Sequence, residues 1–309
     1  MLLVNNILIS VLMSTKDTDE KMLKASVESI LNQTYRNFEF LIICDGSIRD
    51  YNILSQYNDP RIKIICHNIS IGLTKSLNEL LNIANGKYIA RMDSDDVSLV
   101  DRFETQLRFM ESNPNIDICS TMIKNFGNNN NISINLYDDS DGVKSQLFLY
   151  NCLAHPTIMM RKSFVLNNNI RYDENFKYSQ DYELWSRCSK FGKLCIINKI
   201  CLLYRTHNNQ ISTSKLDEQN ALCSFIYARN LKELGINPNN ECINKIFNIC
   251  GKSLKYSSLL ELIEFINDIL IANSNEKIYN QRKFENVLYL KLFTILLRNN
   301  EYTLSLKFY

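Results

Sequence analysis

The first hundred residues alternate two hydrophobic periods. "ILISVLM" (7–13) and "FEFLIIC" (38–44) are continuous apolar runs, short enough for buried strands. Between them, "EKMLKASVESILNQ" (20–33) repeats its apolar positions at Leu23, Val27, Ile30 and Leu31, the spacing of one helix face. Asp17, Thr18 and Asp19 supply capping oxygens just before it. "RIKIICHN" (61–68) reads as a third strand and "GLTKSLNELLNIANG" (72–86) as a helix carrying Leu73, Leu77, Leu80 and Leu81 on one side. "KYIARM" (87–92) is a fourth strand.

Strand alternating with helix predicts an α/β fold with a mainly parallel sheet covered on both faces. In such sheets ligands bind beyond the carboxyl ends of the strands. Asp17, Asp45 and the cluster Asp93, Asp95 and Asp96 all follow strands directly, so the pattern places them along one rim.

Further on, "SLVDRFETQLRFMESNP" (98–114) is helical and "NIDICSTMIKNF" (115–126) a strand, followed by the polar loop "GNNNNISIN" (127–135). "HPTIMMR" (155–161) reads as extended, "SQDYELWSRCSKFG" (179–192) as a helix and "KLCIINKICLLYRTH" (193–207) as extended. From Thr213 the chain reads as entirely helical. The division drawn from this is an α/β domain over 1–215 and a helical region over 216–309, its role open between capping, dimerisation and contact with a membrane surface.

Composition narrows the class. The 309 residues are 45% hydrophobic, enough for a large core, and the net charge of +2 with no basic tract argues against a nucleic-acid partner. Eight glycines and four prolines are too few for an all-β protein of many tight turns. The ten cysteines form no C-x-x-C pair and sit mostly in apolar runs, the usage of a reducing cytosol. The opening "MLLVNNILISVLMS" reads as a first strand and not a signal peptide, because Asn5 and Asn6 interrupt it. "VLYLKLFTILL" (287–297) is too short to span a bilayer, so the reading is a cytoplasmic protein, free or peripheral at the inner face of the membrane.

No G-x-G-x-x-G, no G-x-x-x-x-G-K-[ST] and no H-E-x-x-H occurs, which sets aside nicotinamide Rossmann enzymes, P-loop NTPases and zincins. Four stretches remain. In "CDGS", Asp45 can accept from a base imide N–H or simply serve the turn beside Gly46. In "DSDD", Asp93 and Asp95 alternate and so face one way, one toward a ribose or water and the other toward a hard cation bridging phosphates. Asp96 reads as a cap for the next helix. Asp181 in "SQDYELW" is either a helix N-terminal acid or a functional carboxylate, and Trp185, the single Trp, reads as core. In "LLYRTHNN", Arg205 and His207 alternate; arginine suits phosphate oxygens and His207 is a candidate metal ligand.

In order, these stretches resemble the family 2 glycosyltransferases of GT-A fold, over about residues 7–212. "ISVLMS" with "LKASVESILNQTYRNFEFLIICDGS" resembles the family's opening, and "IGLTKSLNELLNIANGKYIARMDSDDVSLVDRFETQ" its D-x-D region. "HPTIMMRKS", "QDYELWSRCSKFGK" and "LLYRTHNNQIS" resemble its second half. The resemblance implies an inverting hexosyltransferase that moves a sugar from a nucleotide-sugar, UDP-linked by preference, to a hydroxyl of a glycan or lipid-linked oligosaccharide in O-antigen or capsule synthesis. It implies Mn²⁺ or Mg²⁺ as cofactor and Asp181 as catalytic base. Thr15, Asp45, Asp93 and Arg205 would contact the nucleotide or its diphosphate, with Asp95 and His207 at the metal. Ser14 and Lys16 stand where the family carries Pro and an aromatic, Cys44 replaces the first Asp of "DDGS", and Gln180 replaces the Glu before the base. These departures keep an inactive sugar-nucleotide-binding scaffold in view; a nucleotidyltransferase, which also pairs acids on an α/β sheet, is the other rival, though "MSTKDTDEK" is not the basic, Gly-rich phosphate loop it needs.

Overall fold

The computed structural model describes residues 8–207, 215–251 and 259–298; Ile7 of the first predicted strand, residues 208–212 of the last motif and the end of the tail lie outside them. Its sheet has eight strands. In chain order they are β1 (Ile9–Thr15), β2 (Phe38–Cys44), β3 (Ile62–Cys66), β4 (Tyr88–Arg91), β5 (Val97–Ser98), β6 (Ile118–Gly127), β7 (Met159–Arg161) and β8 (Leu194–Thr206). Their spatial order is β3-β2-β1-β4-β7-β6-β8-β5. The first four run parallel, as do β6 and β8; β7 is antiparallel to both its neighbours, and β5 is antiparallel to β8.

The apolar runs form strands because both faces of the sheet are covered. Side chains alternate as a strand's period demands. Val11, Met13, Phe40 and Ile42 pack with Leu23, Val27 and Ile30 of α1 (Glu20–Leu31) and with Phe103, Leu107 and Met110 of α4 (Arg102–Ser112). Leu12, Leu41 and Ile43 pack on the opposite face, against Leu77, Leu80 and Leu81 of α3 (Leu73–Ile83). Asp19 caps α1 by accepting from the Lys21 and Met22 amides at 3.0 and 3.2 Å.

Three short helices had no clear signal in the pattern: α2 (Ile48–Leu54), α5 (Ser140–Gln146) and α6 (Lys162–Asn167). "HPT", expected to be extended, forms a 3₁₀ turn before β7. Helix α7 (Gln180–Cys188) buries Trp185 completely.

Four helices follow: α8 (Leu216–Glu233), α9 (Asn240–Ile249), α10 (Leu259–Glu276) and α11 (Gln281–Arg298). They share one continuous apolar cluster with the sheet, from Leu12 to Leu296. Polar contacts reinforce the join. Arg229 Nη1 donates to buried Glu183 Oε1 at 2.6 Å, Ser186 Oγ to Asn230 at 3.2 Å, and Lys283 pairs with Asp139. On α11, Phe284, Val287, Leu288, Leu292 and Leu296 are buried, so its apolar stripe faces the protein. Among the described residues no helix is long and apolar enough to cross a membrane.

Candidate active site

The parallel strands deliver their carboxyl ends to one rim, and the predicted acids gather there. Two connected hollows open along it, sharing Leu73, Asp93, Asp95 and Tyr178. The first, of about 610 Å³, lies over the ends of β1 and β2; Thr15, Lys16, Asp45, Gly72 and Lys75 line it. The second, of about 540 Å³, runs toward α7 and is lined by Arg91, Asn151, Gln180, Asp181 and His207.

In the first hollow the polar groups largely satisfy one another. Buried Asp45 accepts from the Ile71 amide at 2.7 Å, the Gly72 amide at 2.9 Å and Ser70 Oγ at 2.7 Å. Burial alone would raise its pKa; these donors, with His67 at 3.4 Å, outweigh that and hold it below the ordinary carboxylate value. Asp45 thus anchors the 70–72 turn, and any contact with a nucleobase must share an oxygen with that turn. The approach is close enough that Gly46, at φ +75°, has no room for a Cβ, which would lie 2.5 Å from the Ser70 nitrogen. Thr15 Oγ1 donates to Asp50 Oδ2 at 2.6 Å.

The "DSDD" turn sits between the hollows and is gripped from three sides. Ser26 Oγ of α1 donates to the Asp93 carbonyl at 2.6 Å, and Thr18 Oγ1 meets Ser94 Oγ at 2.8 Å. The third grip comes from β8, brought alongside because β5 pairs Val97 with Leu203. There Arg205 Nε donates to the Asp95 carbonyl at 2.7 Å, while its guanidinium lies 4.4 Å from the Phe126 ring centre. The Arg205 amide donates to Asp96 Oδ1 at 2.8 Å.

That last bond corrects the reading of Asp96. It caps no helix, since α4 starts six residues later behind Asp101. It is fully buried; burial, with the charges of Asp93 and Asp95, lifts its pKa well above the carboxylate range against the Arg205 amide. The reason is topological: the pairing of β5 with β8 turns Asp96 inward, where it ties strand to turn. Arg205 is likewise drawn behind the turn, and it is not among the described residues lining either hollow.

Asp93 is paired with the guanidinium of Arg91, the last residue of β4. His207 Nε2 lies 3.1 Å from Asp95 Oδ2. Among the described residues no three His, Cys, Asp or Glu side chains converge as a complete metal nest. The Asp95–His207 spacing nevertheless suits one ion: adjacent ligands of an octahedral cation with bonds of ~2.1 Å lie about 3 Å apart. An oxygen and a nitrogen donor side by side fit a Mn²⁺ or Mg²⁺ that takes its other ligands from phosphate and water.

Across the second hollow stands Asp181, in the first turn of α7. Its Oδ2 accepts from Asn151 Nδ2 at 2.8 Å and its Oδ1 from the Tyr182 amide at 2.8 Å. Burial raises its pKa; the Tyr182 N–H and the charge of Arg91 pull it down, and Asp93 pushes it up. The other two histidines are not free bases here. His155 is buried against the Tyr172 hydroxyl at 2.8 Å, and burial drives its pKa well below the usual value; His67 bridges Asp45 and Glu79.

Sequence reasoning missed Arg91 and Asn151. Arg91 carried a usable signal, since it ends the strand that leads into the acid cluster; Asn151 lies in a stretch with no periodicity.

An open sheet of this order, with two hollows divided by a D-x-D turn and a carboxylate facing it from a helix start, is the GT-A architecture. A sequence profile described as "Glycosyl transferase family 2" matches residues 10–178. The chain therefore belongs to glycosyl transferase family 2. It is 34% identical to the O-antigen biosynthesis glycosyltransferase WbnJ of Escherichia coli over 223 residues, 68% of this chain and 84% of WbnJ. It is 29% identical to the E. coli UDP-Glc:alpha-D-GlcNAc-diphosphoundecaprenol beta-1,3-glucosyltransferase WfgD over 255 residues, 75% of this chain and 95% of WfgD. Among solved structures, S. aureus TarS 1–349 in complex with UDP-GlcNAc shares the fold at a TM-score of 0.63 and 16% identity, covering 91% of this chain and 90% of that one.

Proposed function

We propose that this chain is an inverting hexosyltransferase using a UDP-sugar, with a hydroxyl of a glycan or lipid-linked oligosaccharide as acceptor. The observation that carries the reading is that Asp181 opens onto the same hollow as Asp93 and Asp95, although they lie some 90 residues apart in sequence. The donor belongs in the first hollow, where Lys16 and Lys75 offer positive charge to a diphosphate and Asp93 can accept from ribose hydroxyls. Asp95 and His207 would hold the divalent cation, which when bound offsets the negative charge growing on the departing diphosphate. The acceptor belongs in the second hollow.

Asp181 acts as general base. It takes the acceptor hydroxyl's proton as that oxygen bonds to the anomeric carbon from the face opposite the leaving group. The bond from that carbon to the diphosphate oxygen breaks, its electron pair leaves with the nucleoside diphosphate, and configuration inverts. Asn151, donating to Asp181, aims the carboxylate. Holding both partners in line removes much of the entropic barrier.

WfgD's name supports UDP as carrier and a lipid-linked acceptor, and WbnJ's supports O-antigen synthesis as the setting. A cytoplasmic, membrane-peripheral location follows from such an acceptor; exposed Tyr289, Leu290 and Leu297 of α11 offer apolar surface for that contact. Thermal shift with UDP-, GDP- and dTDP-sugars, with and without Mn²⁺, tests the donor, with Mn²⁺-dependent stabilisation by a UDP-sugar expected. Release of UDP only when a glycan acceptor is added identifies a transferase; stabilisation by donor with no release under any acceptor marks a binding scaffold instead.

A further inference from the structure

Arg91 is the single Arg or Lys among the described residues lining the second hollow, and its setting does not suit a residue kept for stability. It is 4% exposed, yet its Nε and Nη1 have no hydrogen-bond partner. Leaving such donors buried and unmet costs free energy, and a buried ion pair seldom repays its own desolvation. The root of the side chain is rigidly held: the Arg91 amide donates to the Ile158 carbonyl at 3.0 Å, and its carbonyl accepts from Arg102 Nη2 at 2.8 Å. From that fixed base the guanidinium meets one carboxylate, Asp93, at the wall shared by the two hollows.

We propose that Arg91 is a positioning residue for donor binding: it holds the Asp93 carboxylate at the junction of the hollows, beside the Asp95 carboxylate, in the orientation that receives the nucleotide. This rests on the donor reading above. A neutral side chain at 91 leaves Asp93 beside the Asp95 carboxylate with no guanidinium to aim it. The carboxylate then turns away and the nucleotide loses a preformed partner. Because Arg91 acts through the Asp93 side chain it is paired with, its loss matters only while that carboxylate is present.

The test is a double-mutant cycle on the full chain, read by calorimetry with UDP and, separately, GDP at saturating Mn²⁺, alongside thermal midpoints. Arg91→Met is expected to weaken UDP binding at least tenfold, and Arg91→Lys to recover part of that loss. Asp93→Asn should weaken it comparably, and Arg91→Met added to Asp93→Asn should change affinity by less than twofold further. The double variant should melt at or above the wild-type temperature, since it removes a poorly satisfied buried ion pair. Wild-type affinity in Arg91→Met overturns the proposal, as do losses that multiply in the double variant or a midpoint that falls in step with affinity. A wild-type chain that binds neither nucleotide overturns the donor reading and this inference together; normal wild-type binding with an indifferent Arg91→Met overturns the inference alone.

Discussion

The two hollows are built on opposite principles. In the one assigned to the donor, polar groups already satisfy one another: Asp45 receives three donors from the 70–72 turn and Thr15 is bonded to Asp50. In the other, polar atoms are left waiting, among them Gln180 Oε1 and two nitrogens of Arg91. A self-satisfied wall is preorganised and binds with little rearrangement, whereas orphaned groups carry a cost that an incoming substrate can remove. The contrast teaches where discrimination resides, because a site with unmet polar groups rejects ligands that fail to meet them.

The contrast can be broken at its chemical end first. Asp181→Asn should lower transfer about 10²–10⁴-fold, the usual contribution of a general base, while UDP affinity stays at wild type. Equal turnover in that variant would remove Asp181 from the mechanism. Asp95→Ala comes next: UDP affinity in Mn²⁺ should fall at least the ~10–100-fold that a metal site loses when a supporting partner goes. Calorimetry insensitive to the substitution would place the cation elsewhere.

On the self-satisfied side, Asp45→Asn should cost roughly 1.5–3 kcal/mol of stability at neutral pH, the worth of hydrogen bonds to a charged group. The sign follows from the lowered pKa of Asp45. Its contribution is fully present above the unfolded carboxylate value of about 4 and is lost as pH falls through the lower folded value. Urea unfolding at neutral and acid pH should therefore show the gap between the two proteins closing on acidification. The smallest effect concerns Asn151→Leu. With Asp181 as the proposed base, which works only when ionised, burial should set the acid limb of kcat/KM above that of an ordinary carboxylate. Asn151 Nδ2 donates to the Asp181 carboxylate, so removing that donor disfavours the ionised form and should move the limb to higher pH. A limb that stays in place would show that Asn151 does not tune the base.

Legibility in the sequence followed the strength of local pattern. Strand β2 occupies the stretch expected of it, because seven buried residues run unbroken from Phe38 to Cys44. Helix α5 could not be read: with Val143 alone among its seven residues strongly apolar, it offers no period. The acids of the site were readable because they follow strands, and strand ends converge wherever the sheet is parallel. What stayed hidden depends on pairing between distant segments. Asp96 looked like a cap until β5 joined β8, and the same pairing lays Arg205 along the Asp95 backbone, a contact with no local trace in the sequence. Asn151 reaches Asp181 from across thirty positions of chain with no local trace.

The seamless packing of the last four helices onto the sheet bears on how such enzymes can be recombined. Gln219, from α8, lines the hollow assigned to the acceptor, while its helix is fastened to α7 through Glu183 and Ser186. A chimera that exchanges everything after residue 215 with a relative would replace not a detachable tail but one side of an interlocked interior. Partners for such swaps should be chosen by matching the shapes that meet at Tyr227, Phe148 and Phe284, and donors of foreign acceptor preference will graft only where that steric fit is preserved.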